Sequence, residues 1–213
     1  LCILPVLISH VDNPDNEVLV YAMLDNDCTG CFCTTDVMEQ IAPGHQREAF
    51  VTVETINGIS EKETTAVDGL TVRRSLKTND TASSMLSLPT TFGFDGLSIT
   101  KDEVPASSNL KHWSHLQKLI DKIPEYDDAI PFGLMIGGNC PKALEPLEVL
   151  PSENNGPYAF NTRLGWCVVG PLSSLISSTQ RANVQCHRTR IMEINSSWQT
   201  PVMIESLPNH CFV

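Results

Sequence analysis

Short apolar runs separated by turn residues dominate the first quarter of the chain, a pattern typical of β-sheet proteins. Residues 2–9 and 17–24 predict two strands, and the polar residues 13–16 between them predict a turn. Residues 35–41 predict a helix of one or two turns, because a Thr or Asp can cap its start and Pro43-Gly44 follows it.

A long hairpin is predicted next. Residues 50–56 alternate between apolar and polar side chains, Asn57-Gly58 is a favoured two-residue turn, and residues 59–72 supply the return strand. Residues 73–108 are irregular apart from a short strand at 85–88. Because the hairpin is long and polar at its tip, we expect it to project beyond the body of the protein.

The second half of the chain predicts one longer helix and several short elements. Residues 109–123 carry an apolar face that ends at Pro124, and this face is formed by Leu110, Trp113, Leu116, Leu119 and Ile120. A strand follows at 132–136 and ends at Gly137-Gly138, and a short helix is predicted at 141–147. Residues 158–169 predict a final hairpin that contains Trp166.

Composition narrows the class of protein. The chain has 213 residues and a net charge of −11, which argues against a nucleic-acid or anionic-membrane surface. Its apolar runs are shorter than the roughly 20 residues that span a bilayer, and no signal peptide is visible. We therefore expect an intracellular protein with reduced thiols.

The chain begins at Leu1, which suggests a piece of a longer polypeptide. Residues 1–170 are predicted as one domain, and residues 171–213 as a Ser-rich linker with a partly ordered tail.

The most distinctive chemistry lies at Asp25, which follows the apolar run Tyr21-Ala22-Met23-Leu24. A buried strand that delivers one aspartate to a turn is how aspartic peptidases present a catalytic carboxylate. A lone aspartate in a turn is more often a solvated turn residue. The chain offers no convincing second copy of this segment, so a working carboxylate pair needs a second subunit.

Several segments in order resemble the aspartic peptidase region of BEL/Pao-type retrotransposon polyproteins. They are Leu4-Pro5-Val6, Tyr21-Ala22-Met23-Leu24-Asp25, Thr55-Ile56-Asn57-Gly58, Trp113-Ser114-His115-Leu116, Gly133-Leu134-Met135-Ile136-Gly137-Gly138-Asn139, Ala143-Leu144-Glu145-Pro146-Leu147-Glu148-Val149, Pro157-Tyr158-Ala159 and Thr162-Arg163-Leu164-Gly165-Trp166. Each segment is weak alone, and their joint order and spacing carry the resemblance.

The resemblance implies an all-β, retropepsin-like closed β-barrel with a flap hairpin, short helices and a C-terminal extension. It implies a homodimer that cleaves its own polyprotein without a metal or cofactor. The residues it nominates are the catalytic Asp25, the catalytic-loop residues Asn26, Asp27 and Cys28, the flap residues Ile56, Asn57, Gly58 and Ile59, and the strand behind the loop formed by Leu134, Met135, Ile136 and Gly137.

The loop itself departs from the usual Asp-Thr/Ser-Gly of retropepsin-like enzymes. Asn26 replaces a hydroxyl residue, although its amide can still form hydrogen bonds. Asp27 replaces a glycine, and we expect it to bring backbone strain and extra negative charge. The alternative function is therefore a catalytically inactive, peptidase-derived module that dimerises or binds peptides.

A third possibility is a thiol-rich metal site, since Cys28, Cys31 and Cys33 form a C-x2-C-x-C motif. A structural zinc site needs four ligands, and only distant Cys2, His10 or Cys140 would complete it. Cys31 and Cys33 share one face of a strand, so buried strand thiols explain them better. His112 and His115 have helical spacing without an acidic partner, and we expect them to be surface residues.

Overall fold

A computed structural model of the chain describes residues 1–55, 58–75, 85–96, 99–172 and 190–193. For residues 55 and 190–193 the description covers the backbone alone. The described chain is mostly β-strand, as the sequence predicts. In these ranges no helix is long and apolar enough to cross a membrane.

In the described part of the chain, ten strands form the main sheet and three form a second, smaller sheet. The ten strands are β1 (Cys2–His10), β2 (Asn13–Asp25), β3 (Cys31–Thr34), β4 (Arg47–Thr55), β5 (Gly58–Val67), β6 (Leu70–Arg74), β7 (Leu86–Ser87), β8 (Thr91–Phe94), β9 (Phe132–Gly137) and β13 (Arg190–Glu193). The smaller sheet contains β10 (Glu148–Leu150), β11 (Tyr158–Thr162) and β12 (Gly165–Val169). The short helices are α1 (Thr35–Ile41), α2 (Ser107–Leu110) and α3 (Pro141–Leu144).

The main sheet is open. Its strand order is β13-β4-β5-β8-β3-β9-β2-β1-β6-β7, so β13 and β7 lie at opposite ends, and no closed barrel is formed by the described strands. Its largest cluster of buried apolar residues includes Val6, Val20, Leu134 and Ile136. Helices α1 and α3 contribute Met38 and Ala143 to this core.

Two strand boundaries differ from the sequence-based prediction. Residues 13–16 were predicted as a turn, but β2 begins at Asn13, and Val11-Asp12 form the turn between His10 and Asn13. The polar start of β2 is tolerated because it is largely exposed. The predicted return strand at 59–72 is divided at Asp68-Gly69. Gly69 has a φ of 82°, a conformation that favours glycine, and it lets the chain leave β5 and pair as β6 with β1.

The predicted helix at 109–123 is wrong. The chain instead forms α2, an extended residue at Trp113 and a 3-10 helix over Ser114–Lys122. The physical reason lies in the spacing of its buried residues. Leu116 and Leu119, the buried residues of the 3-10 helix, are three apart, which matches its three residues per turn, and Leu110 is buried separately in α2. They pack beneath the smaller sheet against Trp166, a second core that the sequence did not predict.

The hairpin predicted at 158–169 is present as β11 and β12, but it belongs to the smaller sheet. Strands β8 and β10 were not predicted, and β13 lies within the predicted tail. Within the predicted linker and tail at 171–213, residues 173–189 and 194–213 lie outside the described residues.

A disulfide between Cys2 in β1 and Cys167 in β12 joins the two sheets. The Cα atoms of these residues are 5.5 Å apart, a usual separation for bonded cysteines. This pair corrects the expectation that all thiols are reduced. Cys28, Cys31, Cys33 and Cys140 are free and buried.

Two of the free thiols make stability depend on pH. Cys31 and Cys33 are fully buried in β3, and burial raises the pKa of each to about 12. The unfolded chain releases these protons near pH 9, so the folded chain binds more protons between pH 9 and 12. Below pH 9 the two thiols therefore make their full contribution to the free energy of unfolding. As pH rises above 9 the free energy of unfolding falls, by up to about 1.4 kcal/mol per pH unit for each thiol.

Urea unfolding at several pH values between 9 and 10.5 measures this slope. We expect Cys31→Ala and Cys33→Ala each to make the decline shallower than in the parent. Identical slopes in parent and variants would show that both thiols ionise freely in the folded protein.

Candidate active site

Asp25 is the last residue of β2 and follows the buried segment from Val20 to Leu24. Its side chain is half-buried, while Asn26 and Asp27 in the turn that follows are exposed. The apolar run thus fixes the strand in the core and brings one carboxylate to the boundary between core and solvent.

The carboxylate is held by its own loop. The backbone N–H of Asp27 donates a hydrogen bond to Oδ1 of Asp25 at 3.0 Å. The N–H of Cys28 donates to the carbonyl oxygen of Asp25 at 3.4 Å. A carboxylate that accepts from a backbone donor has a restricted rotamer, so the second oxygen has a defined direction.

Asp27 does not bring the backbone strain predicted for it. Among the described residues, the non-glycine residues with positive φ are Ala42, Asn154 and Asn155, so Asp27 has an ordinary negative φ. Its N–H is the group that contacts Asp25, and any residue other than proline supplies that donor. The objection to aspartate at the glycine position therefore reduces to its charge.

Strand β9 lies directly behind the loop, between β2 and β3. It pairs parallel with β2, where Asp25 is opposite Gly137, and antiparallel with β3, where Phe32 is opposite Met135. The N–H of Gly138 donates to the carbonyl oxygen of Cys28 at 2.7 Å. Leu134 and Ile136 are fully buried on the other face of β9. Leu134, Met135 and Ile136 thus pair with the strand that precedes Asp25, whereas Gly137 and Gly138 contact the loop itself.

The space between β9 and the loop is too small for a side chain at Gly137. A Cβ atom added there would clash with the carbonyl oxygen of Gly30 and lie 2.6 Å from that of Cys28. These are backbone atoms of the loop itself, so relief would require the loop to move. At Gly138 an added Cβ would lie 3.5 Å from the carbonyl oxygens of Asn26 and Cys28, an ordinary contact.

The cysteines of the loop are structural. The thiol of Cys28 is buried and donates to the carbonyl oxygen of Gly30 at 3.4 Å, and burial raises its pKa. The thiol of Cys31 donates to Oδ1 of Asn139 at 3.2 Å. Protonated, buried thiols are poor nucleophiles and poor metal ligands. Among the described residues, no group of three or more His, Cys, Asp or Glu side chains is arranged to hold a metal ion.

His112 and His115, which the sequence pairs at helical spacing, lie in different environments in the structure. His112 is exposed, whereas the side chain of His115 is only 8% exposed, and its Nε2 lies 2.9 Å from the carbonyl oxygen of Pro157. His115 therefore anchors the 3-10 segment and is not the surface residue predicted.

The predicted flap is the hairpin of β4 and β5. These strands pair from Arg47 opposite Ala66 to Thr55 opposite Gly58. Ile56 and Asn57 lie outside the described residues. Gly58 and Ile59 are exposed, with Ile59 at 70%.

A groove of about 570 Å³ lies beneath the hairpin. Its apolar wall includes Phe32 and Met135, the paired residues of β3 and β9, together with Phe94 of β8. Val51, Val53 and Lys62 of the hairpin also line the groove, and the two valines pack in the same apolar cluster as Phe32. Asp25 does not line this groove, although Met135 is two residues from Gly137, which pairs with Asp25.

The sequence-based prediction missed Asn139 and the groove. Asn139 lies in a resembling segment but had no role there, and its side chain fixes Cys31 in the strand that follows the loop. The groove depends on β8, whose four residues were not predicted as a strand. Comparison of the chain with protein-family models, curated proteins and solved structures found no match.

A pair of glycine substitutions tests the packing behind the loop. We expect Gly137→Ala to lower the free energy of unfolding by about 2 kcal/mol or more, because the new methyl meets backbone that must shift. Gly138→Ala is the matched control and should cost less than about 1 kcal/mol. Urea unfolding of both variants measures the difference, and equal effects would mean that the loop is not confined by β9.

Proposed function

We propose that the chain is one subunit of a homodimeric aspartic endopeptidase of retropepsin-like fold. The observation that carries the proposal is the half-buried carboxylate of Asp25, fixed by the N–H of Asp27 on a loop that β9 braces. The resemblance of the surrounding segments to BEL/Pao-type peptidases supports it. The substrate is then a polypeptide, including the polyprotein that the chain belongs to, and the enzyme acts inside the cell.

A second subunit follows from the chemistry. Peptide hydrolysis by aspartates needs one protonated and one ionised carboxyl, which two adjacent carboxylates achieve by sharing a proton. Asp27 is exposed and adjacent in the loop, but its hydrogen bond to Asp25 is made by its backbone N–H and not by its carboxylate. A second Asp25, related by two-fold symmetry, supplies an equivalent partner.

The mechanism needs neither metal nor covalent intermediate. The protonated carboxyl donates its proton to the oxygen of the scissile carbonyl, and the ionised carboxylate accepts a proton from water as the water attacks the carbonyl carbon. The tetrahedral intermediate then collapses: the C–N bond breaks, the leaving nitrogen takes the proton that came from water, and the hydroxyl formed from the carbonyl returns its proton to the first carboxylate. The N–H of Asp27 helps to keep each carboxylate in place through the exchange of protons.

The groove beneath the hairpin supports a peptide substrate. An extended peptide can pair its backbone with strand edges while its alternate side chains enter pockets. The apolar wall of Phe32, Phe94 and Met135 suits a large apolar side chain of such a peptide. The hairpin of β4 and β5 would then cover the bound substrate.

The alternative is an inactive module that dimerises or binds peptides. One observation favours it: Asp27 adds a second exposed carboxylate to a loop that must already hold two like charges close together in the dimer. Cleavage of peptides separates this alternative from the peptidase.

The first experiment compares the parent with Asp25→Asn on a peptide library between about pH 4 and pH 7, the range in which a carboxylate pair shares a proton. We expect the parent to cleave and the variant to lose at least about 10³-fold in kcat/KM. Sedimentation must show both proteins as dimers. Absence of cleavage by a folded, dimeric parent would leave the inactive module as the function.

Two substitutions of Asp27 separate charge from backbone geometry. Asp27→Asn removes the charge alone, and Asp27→Gly also removes the side chain. Because Asp27 has no strained φ, we expect both to shift the pH optimum of cleavage downward by a similar amount, roughly half a unit. A large gain of kcat/KM in Asp27→Gly alone would show that the loop geometry is the defect.

A further inference from the structure

Among the described residues, the outer half of the hairpin has no backbone pairing with the body, although Val51 and Val53 pack in the apolar cluster that contains Phe32 and Phe92. Strand β5 pairs with β8 only at Ala66 and Val67, near the base of the hairpin, as far as the described residues show. Beyond that point β4 and β5 continue to pair with each other as far as Thr55 and Gly58. A two-stranded ribbon is marginally stable in water, so a third strand would make the projecting part of this hairpin more ordered.

Strand β13 provides that third strand. It pairs antiparallel with β4, from Arg190 opposite Glu54 to Glu193 opposite Val51. These positions lie in the projecting half of the hairpin, and β13 occupies the edge of β4 that faces away from β5. An unoccupied edge at this place would offer backbone N–H and C=O groups to any extended peptide.

We propose that residues 190–193 act as an intramolecular strand that stiffens the projecting hairpin and blocks its outer edge against other extended peptides. Pairing through the backbone gives affinity that depends little on sequence, so the edge is a general peptide-docking surface. The chain's own segment has the advantage of covalent attachment, which makes its pairing with β4 intramolecular. The inference concerns the hairpin alone and holds whether or not Asp25 is catalytic.

The test removes the backbone donor of β13 in the full chain. Consecutive N–H groups of a strand point in opposite directions, so Ile191→Pro combined with Met192→Pro deletes whichever one faces β4. The matched control is Ser196→Pro with Ser197→Pro, which places two prolines in the same tail outside β13.

Amide hydrogen exchange measures the docking. In the Ile191→Pro/Met192→Pro variant we expect amides of residues 51–54 that face β13 to exchange at least about tenfold faster than in the parent. The intervening amides, which face β5, should accelerate less. The serine control should match the parent. Unchanged exchange in the double variant would overturn the inference. Protection in the parent that depends on protein concentration would also overturn it, because the strand paired with β4 would then come from a second copy of the chain.

A labelled peptide of residues 188–195 measures the blocking. We expect it to bind the Ile191→Pro/Met192→Pro variant at least about tenfold more tightly than it binds the parent. The same peptide with prolines at positions 191 and 192 should bind neither protein. Equal affinity for parent and variant, or no binding to the variant, would show that the edge of β4 is not a docking surface held by β13.

Discussion

The fold depends on the insertion of β9 between β2 and β3. These two strands are joined by the loop that carries Asp25, yet they do not pair with each other in the main sheet. Strand β9 bonds to both and closes the gap behind the loop. The insertion is possible because Gly137 leaves room for the carbonyl oxygens of Cys28 and Gly30. Burial of Leu134 and Ile136 supplies the apolar surface that holds β9 there.

This arrangement also separates charge from apolar packing at the loop. The thiols of Cys28 and Cys31 lie on the protein side and stay neutral, because burial raises the pKa of each. The carboxylates of Asp25 and Asp27 lie toward solvent. Two such loops brought together would place four carboxylates in a small volume, and only proton uptake or a bound partner would offset their repulsion. Dimer formation and protonation are therefore coupled in the proposed enzyme.

The elements that the sequence predicts well are those that local patterns determine. Strands β1 and β9 and helix α1 follow from continuous apolar runs or a clear stop signal. The segment 109–123 misleads because apolar residues at every third position suit both a helix face and a 3-10 turn. Strands β8 and β13 are short, and each is defined by a partner far along the chain. The position of Asp25 at the end of a buried strand was predictable from the sequence. The unstrained backbone of Asp27 and the groove below the hairpin require three-dimensional information.

The position of β9 in the chain has a consequence for synthesis. When β1, β2 and β3 leave the ribosome, the place between β2 and β3 is still empty, because residues 132–137 have not yet been made. Pairing over such a separation is slow, since the intervening chain must close a long loop first. Strand β9 therefore packs behind the loop around Asp25 only after residues 132–137 have been synthesised.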